Sequence, residues 1–435
     1  ISGHARTCIR LEGSRATIIN CTISGSQGNG VLVGERSRAH ITGNEIYNCT
    51  DNGIAIGDNS NPIITDNLIT NVADHGIYLY EAAACSLNYN TLLQCGERGI
   101  YIFQADRTVL MRNIVYRCQG DFSVYLYRAQ NTVMLNNTIY DNDQNGLGIV
   151  NASGQLWNNL IVLNEENGVF VQGGNVVFDY NDVWMNGRND YVGLEPGQTN
   201  LSVNPQLVGP ALGDFSPAQG SPVIDAGNPR YRDPDGTRAD IGAMFFNQNH
   251  PPEITSYAPE DFDFLDGDQE ITFSVVASDP DNHPLIYTWY LNGEADGDRS
   301  SYTHLFNRDG TYSVMIVVDD NYYLGRTAHE WNFEVQGSSA PGLEAAMPAR
   351  VVLRGPYPNP FNSQAWFSLE TGNPGSVEIT LFSLSGSPVQ EIRLGTVAAG
   401  THRFALNGDS IPAGVYLLIA DTRRARLVKK VVIIK

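Results

Sequence analysis

Asn29-Gly30-Val31-Leu32-Val33, Asn52-Gly53-Ile54-Ala55-Ile56, His75-Gly76-Ile77-Tyr78-Leu79 and Arg98-Gly99-Ile100-Tyr101-Ile102 are copies of one pattern set 23 residues apart. Further copies follow at Phe122-Ser123-Val124-Tyr125-Leu126, Asn145-Gly146-Leu147-Gly148-Ile149 and Asn167-Gly168-Val169-Phe170-Val171. A second marker runs in phase: Asn44, Asn67, Asn90, Asn113, Asn137, Asn159 and Asn181 recur at spacings of 22 to 24, each followed two residues later by Ile, Leu or Val. A fixed period of this size marks stacked supersecondary units.

Each unit is too short for two helices and a turn. Its apolar residues alternate with polar ones in runs of three to five, broken by Gly, Asn and Asp, which is strand periodicity with turn punctuation. Three strands per coil are expected, near Val31 to Val33, Ala39 to Ile41 and Glu45 to Tyr47 in one repeat. Over residues 1 to 186 the pattern resembles the right-handed parallel β-helix family, which implies parallel pairing of equivalent strands. With neighbours ~4.8 Å apart, eight coils make a rod of roughly 40 Å. The Asn ladder then reads as structural, its amides bonding from coil to coil.

The 435 residues carry 27 Lys and Arg against 47 Asp and Glu, a formal charge of −20. That length calls for two to four domains, and that charge argues against nucleic acid or an anionic membrane as partner. No run of 18 apolar residues is present, so no membrane-spanning helix is expected. All six cysteines (Cys8, Cys21, Cys49, Cys85, Cys95, Cys118) lie in the repeats. They read as inward-facing free thiols, with a Cys95–Cys118 bridge between neighbouring coils as the alternative. The pattern is already running by Cys8 although a solenoid end needs a cap; the expectation is a fragment of a longer precursor or a mature form.

From Asn204 the style changes. The stretches Asn204-Pro205-Gln206-Leu207, Gly220 to Pro229 and Asp233 to Ala243 resemble the closing segment of secreted bacterial β-helix proteins, which implies folding back over the last coils and a first domain at 1–246. Asp233, Asp235 and Asp240 offer oxygen ligands for calcium or Asx-type turn bonds. Pro251-Pro252-Glu253-Ile254 opens a unit at 251–336 whose alternating strands and central Trp289 suit a β-sandwich. It is similar to PKD and cadherin-like modules, and Asp279, Asp281 and Asp319 are candidate calcium ligands or loop caps at one end. A linker at 337–349 leads to 350–435, where Tyr357-Pro358-Asn359-Pro360-Phe361-Asn362, Gly375 to Phe382, Gly414-Val415-Tyr416 and the Lys429-to-Lys435 ending resemble the C-terminal sorting domain of type IX secretion. Ser383 and Ser387 stand where that family usually has Asp and Arg. The resemblance implies the type IX machinery as a partner and a place outside the bacterial cell or on its outer-membrane surface. The fold class is therefore all-β: a right-handed parallel β-helix, an Ig-like sandwich and a small sorting sandwich, expected as a monomer.

Counting from the marker glycine, positions plus one and plus three are apolar and point inward, so plus two and plus four point outward. Those outward columns bring together Tyr78, Tyr101 and Tyr125 beside Tyr80, Phe103 and Tyr127, a platform of six aromatics. Exposed aromatic area of this size marks a binding surface suited to sugar rings. The column two before the marker holds Asp51, Asp74, Glu97 and Asp121, and the plus-five column holds Asp58, Glu81 and Arg128. Carboxylates stacked ~5 Å apart repel by about 3 kcal/mol at an effective dielectric constant of about 20. They are expected to bind a cation, with calcium the candidate, or to take up a proton. The expectation is a polysaccharide-binding face with Glu81 and Asp58 as acid/base or calcium ligands and Arg128 neutralising a uronate or acting as base. Two carboxylates flank the scissile bond in a hydrolase, and a base removes a proton beside a cation-bound carboxylate in a lyase. The alternative is a noncatalytic surface, adhesion or structural protein whose tyrosines stack to stabilise an exposed sheet. His75 reads as a turn residue.

Overall fold

The computed structural model describes residues 2–3, 6–338, 352–357, 361–371, 375–383, 388–398, 400–408, 411–422 and 426–433. Of the sequence features above, linker residues 339–349, Pro358–Pro360, Ser387 and the last two residues, Ile434 and Lys435, lie outside the described residues. The described chain is all-β, with no α-helix, and divides into two compact units.

The first unit holds residues 1–252 and takes in two loops, 279–284 and 319–326. Its repeats form a right-handed parallel β-helix of three-stranded coils. In one coil the strands are Val31–Gly34, His40–Thr42 and Glu45–Tyr47, a residue or so from the positions the sequence suggested. Register is strict: on the first face Val31 pairs with Ile54, Ile54 with Ile77, Ile77 with Ile100, Ile100 with Val124 and Val124 with Leu147. The third face stacks Ile23, Ile46, Ile69, Leu92, Val115, Ile139, Ile161 and Val183 into one column at 0–1% exposure. Asn145–Trp157 and Val169–Asp179 run through the corner between first and second faces, joining these into one 15-stranded sheet.

The recurring glycine is a matter of close approach. A Cβ on Gly53 would meet the Gly76 carbonyl oxygen at 2.7 Å and Ile69 Cγ2 at 2.5 Å, and one on Gly76 would meet the Gly99 oxygen at 2.7 Å. The next coil therefore occupies the space a side chain would need.

The asparagine ladder is buried and saturated. Asn113 Oδ1 accepts from both the backbone N–H and the amide of Asn90, at 3.0 Å each. Its own amide donates to Asn137 Oδ1 at 2.9 Å and to the Leu87 carbonyl at 2.8 Å. The same arrangement runs from Asn44 to Asn200. All six cysteines are free thiols. Burial pushes Cys49 up to about 11 and Cys85 up to about 12, and Cys95 is raised by its neighbour Cys118 and by burial.

The closing segment packs on the third face: Phe215 meets Tyr116 and Tyr140 edge-on, and Val223 and Ile241 cover Leu160 and Val162. Its carboxylates act as turn and anchor acceptors. Asp240 accepts the N–H groups of Asp225 and Phe246 at 2.7 Å each, Asp235 accepts those of Thr237 and Gln248, and Asp233 pairs with Arg112 at 2.5 Å. Asp235 makes the Asx-type bond, to the Thr237 N–H two residues on, whereas Asp233 and Asp240 bond to groups farther away in sequence. With the third face covered, the first is left open to solvent.

In the second unit, a three-stranded and a five-stranded sheet enclose Trp289, Trp331, Phe273 and Phe306. Trp289 is fully buried, with its indole N–H donating to the Arg299 carbonyl at 2.7 Å. The C-terminal strands form a three-stranded and a four-stranded sheet around Phe367, Leu369, Leu381 and Leu418.

Two outcomes follow. Asn113→Leu orphans an N–H, an amide and two acceptors inside the stack, so it should destabilise the first unit by roughly 2–4 kcal/mol in urea denaturation. Cys49, Cys85, Cys95 and Cys118 are buried and should resist a thiol reagent at pH 8 in the native protein, the more so because Cys49, Cys85 and Cys95 stay protonated there, and all six cysteines should react after unfolding.

Candidate functional site

The outward columns of the first face come together as the pattern requires. Tyr78 pairs in register with Tyr101, and Tyr101 with Tyr125; Tyr80, Phe103 and Tyr127 align beside them. The rings do not lie flat. Tyr78 and Tyr101 stack at 5.1 Å between centroids and 18° between planes, and Tyr101 and Tyr125 at 5.4 Å and 20°. Tyr80 on Phe103 and Phe103 on Tyr127 repeat this at 5.4 and 5.5 Å. Identical residues one strand apart must choose parallel rotamers, so ring faces are consumed by neighbouring rings and edges are left to solvent. The face is a comb of ring edges and phenolic hydroxyls, where the sequence suggested a flat platform. Burial raises the pKa of Tyr78, Tyr101 and Tyr125, which keeps their hydroxyls protonated.

The comb is longer than six rings. Phe122, one residue before its marker, folds over Gly148 and stacks on Tyr125 at 4.9 Å and 9°, with Phe170 beyond it at 5.7 Å. A Cβ on Gly148 would lie 2.6 Å from the Phe122 ring. Gly148, which stands in register with Tyr125 in the next coil, is the seat of an aromatic from the coil before.

The column immediately before the marker carries a further amide ladder. Asn52 donates to Asn29 Oδ1 at 2.9 Å, Asn167 to Asn145 at 2.8 Å and Asn189 to Asn167 at 3.0 Å. Between Asn52 and Asn145 the column holds His75, Arg98 and Phe122, the coils that carry the tyrosines. The His75 N–H still donates to Asn52 Oδ1 at 3.2 Å, and His75 Nδ1 accepts from the Arg98 N–H at 3.3 Å. The neutral ring therefore carries its proton on Nε2. That ring lies edge-on to Tyr78 at 5.4 Å and to Tyr101 at 5.2 Å. Burial, then the Arg98 charge, lowers its pKa to about 4. The Arg98 guanidinium lies 4.6 Å from the Tyr101 ring centre and 5.0 Å from that of Tyr125, and Nη2 pairs with Asp121 Oδ1 at 2.5 Å. Its Nε–H is buried without an acceptor, a cost of about 1–3 kcal/mol that a ladder asparagine would avoid.

The other sequence candidates lie at the flanks. Asp58, Glu81 and Arg128 are exposed at turn corners with φ of 53°, 49° and 53°. Arg128 rests its guanidinium 5.2 Å from the Tyr127 ring, two coils from Glu81. Asp51, Asp74 and Glu97 follow one another by backbone bonds, Asp74 to Asp51 at 3.3 Å and Glu97 to Asp74 at 3.0 Å. Asp74 is raised by burial and then by Asp51, while Asp121 is committed to Arg98. Among the described residues, three potential ligand atoms lie within 4.8 Å of one another at Asp279, Asp281 and His283, not in this column. Sequence reasoning read His75 as a turn residue and passed over Arg98 and Phe122; the signal was there, since these three interrupt the run of column asparagines between Asn52 and Asn145.

Three family models match. Residues 7–165 match a right handed beta helix region, 249–335 a PKD domain and 356–434 a secretion system C-terminal sorting domain. The chain is a β-helix protein with a PKD domain and a sorting tail. The tail places it among proteins that are secreted or held at the cell surface, and no helix of the described residues is long and apolar enough to cross a membrane. No curated protein matches the chain. Among solved structures, the periplasmic alginate epimerase AlgG is 17% identical over 43% of this chain and 48% of its own, with a TM-score of 0.39. The active domain of tailspike protein 2 from bacteriophage CBA120 is 10% identical over 98% of this chain and 66% of its own, with a TM-score of 0.36. The β-helix protein thus spans about half of the first and two thirds of the second.

His75 supplies a pH test. Its folded pKa lies below the ordinary value of 6.5, so the unfolded chain takes up the proton first as pH falls. The resulting stability is full above about pH 6.5 and declines between about 6.5 and 4. His75→Asn restores the ladder residue, and thermal melts across that window should show a shallower pH dependence than wild type.

Proposed function

We propose that the first face binds an extended polysaccharide along the rod axis. The observation that carries this reading is the broken amide ladder: between Asn29 and Asn189 the column keeps its structural asparagines except in the tyrosine coils, where His75, Arg98 and Phe122 replace them, all directed onto the ring comb. Residues that stabilise less than the ones they replace are retained for another task.

The period supports a glycan in particular. Rings repeat every 5.1 to 5.4 Å along the Tyr78–Tyr101–Tyr125 column, about the advance of one sugar residue along an extended chain. Each sugar can meet one phenolic hydroxyl, and the His75 Nε2–H and the Arg98 guanidinium add fixed donors between them. The acidic columns follow the same period and accept from sugar hydroxyls. Because ring faces are already stacked, recognition rests on hydrogen bonds to the tyrosine hydroxyls and on apolar contact with the edges of the phenylalanine rings. Asp58 and Glu81 keep their proposed acid/base roles, and calcium its proposed role at the acidic columns.

A second reading is a noncatalytic surface on which the aromatic comb only stiffens the sheet, favoured by the mutual stacking of the ring faces. Glycan arrays followed by calorimetry separate the two. Arg98→Asn and Tyr101→Ala should each weaken polysaccharide binding by about tenfold or more, while Arg98→Asn melts at or above the wild-type temperature. Absence of binding to any neutral or acidic polysaccharide, with both variants less stable than wild type, would leave the structural reading. Reducing ends or unsaturated products released from a bound glycan, and lost in Glu81→Gln, would add catalysis to binding.

A further inference from the structure

The stretch Asp279-Pro280-Asp281-Asn282-His283 belongs to one of the two loops that the first unit takes in, and Asp320 to the other. The loop folds around the Asp279 side chain, whose Oδ1 accepts the N–H groups of Asp281 at 2.9 Å and His283 at 3.0 Å. Its other oxygen, Oδ2, is buried with no hydrogen-bond partner, and the side chain is 1% exposed. Asp320, with a side chain at 0% exposure, accepts from the Tyr322 N–H at 2.8 Å through Oδ1 and from the Asn249 amide at 2.8 Å through Oδ2. Asn249 Oδ1 is a second buried acceptor without a donor, and His283 Nδ1 is a third unpartnered atom.

His283 Nδ1 faces the carboxylates of Asp279 and Asp320 across gaps too long for hydrogen bonds. His283 Nδ1 is 3.6 Å from Asp279 Oδ1 and 4.0 Å from Asp320 Oδ2. One ligand atom from each of Asp279, Asp281 and His283 falls within 4.8 Å of the others. Two ligands on one ion at about 2.4 Å each can be at most about 4.8 Å apart, so the separations are those of a coordination shell. Two carboxylates out of water also require compensating positive charge. Arg326, the guanidinium nearest in sequence, is paired with Asp319 instead. Asp319, the sequence candidate, is engaged by Arg326, and it is Asp320 whose carboxylate faces His283 Nδ1.

We propose that Asp279, Asp281 and His283 hold a divalent cation, with Asp320 and the Asn249 carbonyl oxygen completing an oxygen-rich surround. Carboxylate and amide oxygens suit calcium or manganese, and the imidazole nitrogen adds affinity for manganese or zinc. The ion would join Asn249 and the two loops through one centre.

The test is calorimetric titration of the full chain, stripped with a chelator, with calcium, manganese and zinc in separate arms, beside wild-type melting curves. Saturable binding of any one ion, with a melting temperature that rises with that ion, is expected. Asp281 and His283 are partly exposed, so Asp281→Asn and His283→Gln should fold and weaken binding about tenfold or more. Loss in His283→Gln confined to zinc or manganese assigns the imidazole to those ions, and loss in Asp281→Asn for every ion is required. Terbium reports independently: the Tyr322 ring lies 4.2 Å from that of His283, so bound terbium should luminesce on tyrosine excitation and dim in Tyr322→Phe. Failure of all three ions to bind, or binding unchanged in Asp281→Asn, would overturn the proposal.

Discussion

In-register stacking of identical coils, fixed by buried asparagines that bond from one coil to the next, is the constraint on which the first unit depends. Each amide satisfies an N–H and a neighbouring amide in the coil on one side while donating to the coil on the other. A slip of one residue would break that whole column and turn the apolar plus-one and plus-three residues outward. The glycine column belongs to the same constraint, because the adjacent carbonyl fills the place of its Cβ.

A lattice this strict makes departures legible. Where a column position serves only the fold, the same residue returns coil after coil; where it changes over three consecutive coils, the replacement has to be explained by what it touches. The cysteine column illustrates the bland case. Cys118 gives way to Asn142, Asn164 and Asn186, which rebuild an amide ladder in the interior. The His75–Arg98–Phe122 interruption is the other case, because it trades ladder bonds for contacts with the tyrosines. Covering of the third face by Phe215, Val223 and Ile241 leaves this open face as the surface on which such a trade can meet a ligand.

The periodic parts of this organisation were readable from sequence alone: the coil, inward and outward columns, the structural asparagines, the three domain types and the tyrosine array. Side-chain rotamers were not. The sequence cannot state that Tyr78, Tyr101 and Tyr125 turn their faces to one another, because that follows from packing identical rings one strand apart. Nor could it place Phe122 over Gly148, a contact that crosses columns. Asp319 and Asp320 show the same limit: the sequence does not say that Asp320 is buried while its neighbour Asp319 pairs with Arg326. His75 was readable as a turn residue, but its ring contacts depend on the coil above.

The claim that the comb is matched to a sugar chain is tested most directly by affinity as a function of oligosaccharide length, measured by calorimetry for the polysaccharide that binds best. Five rings, Tyr78, Tyr101, Tyr125, Phe122 and Phe170, run along the face. Affinity should climb with each added sugar and level off at about five, the length at which every ring edge has a partner. Affinity that does not depend on length, or no binding at any length, would contradict the account and return the comb to a purely structural role.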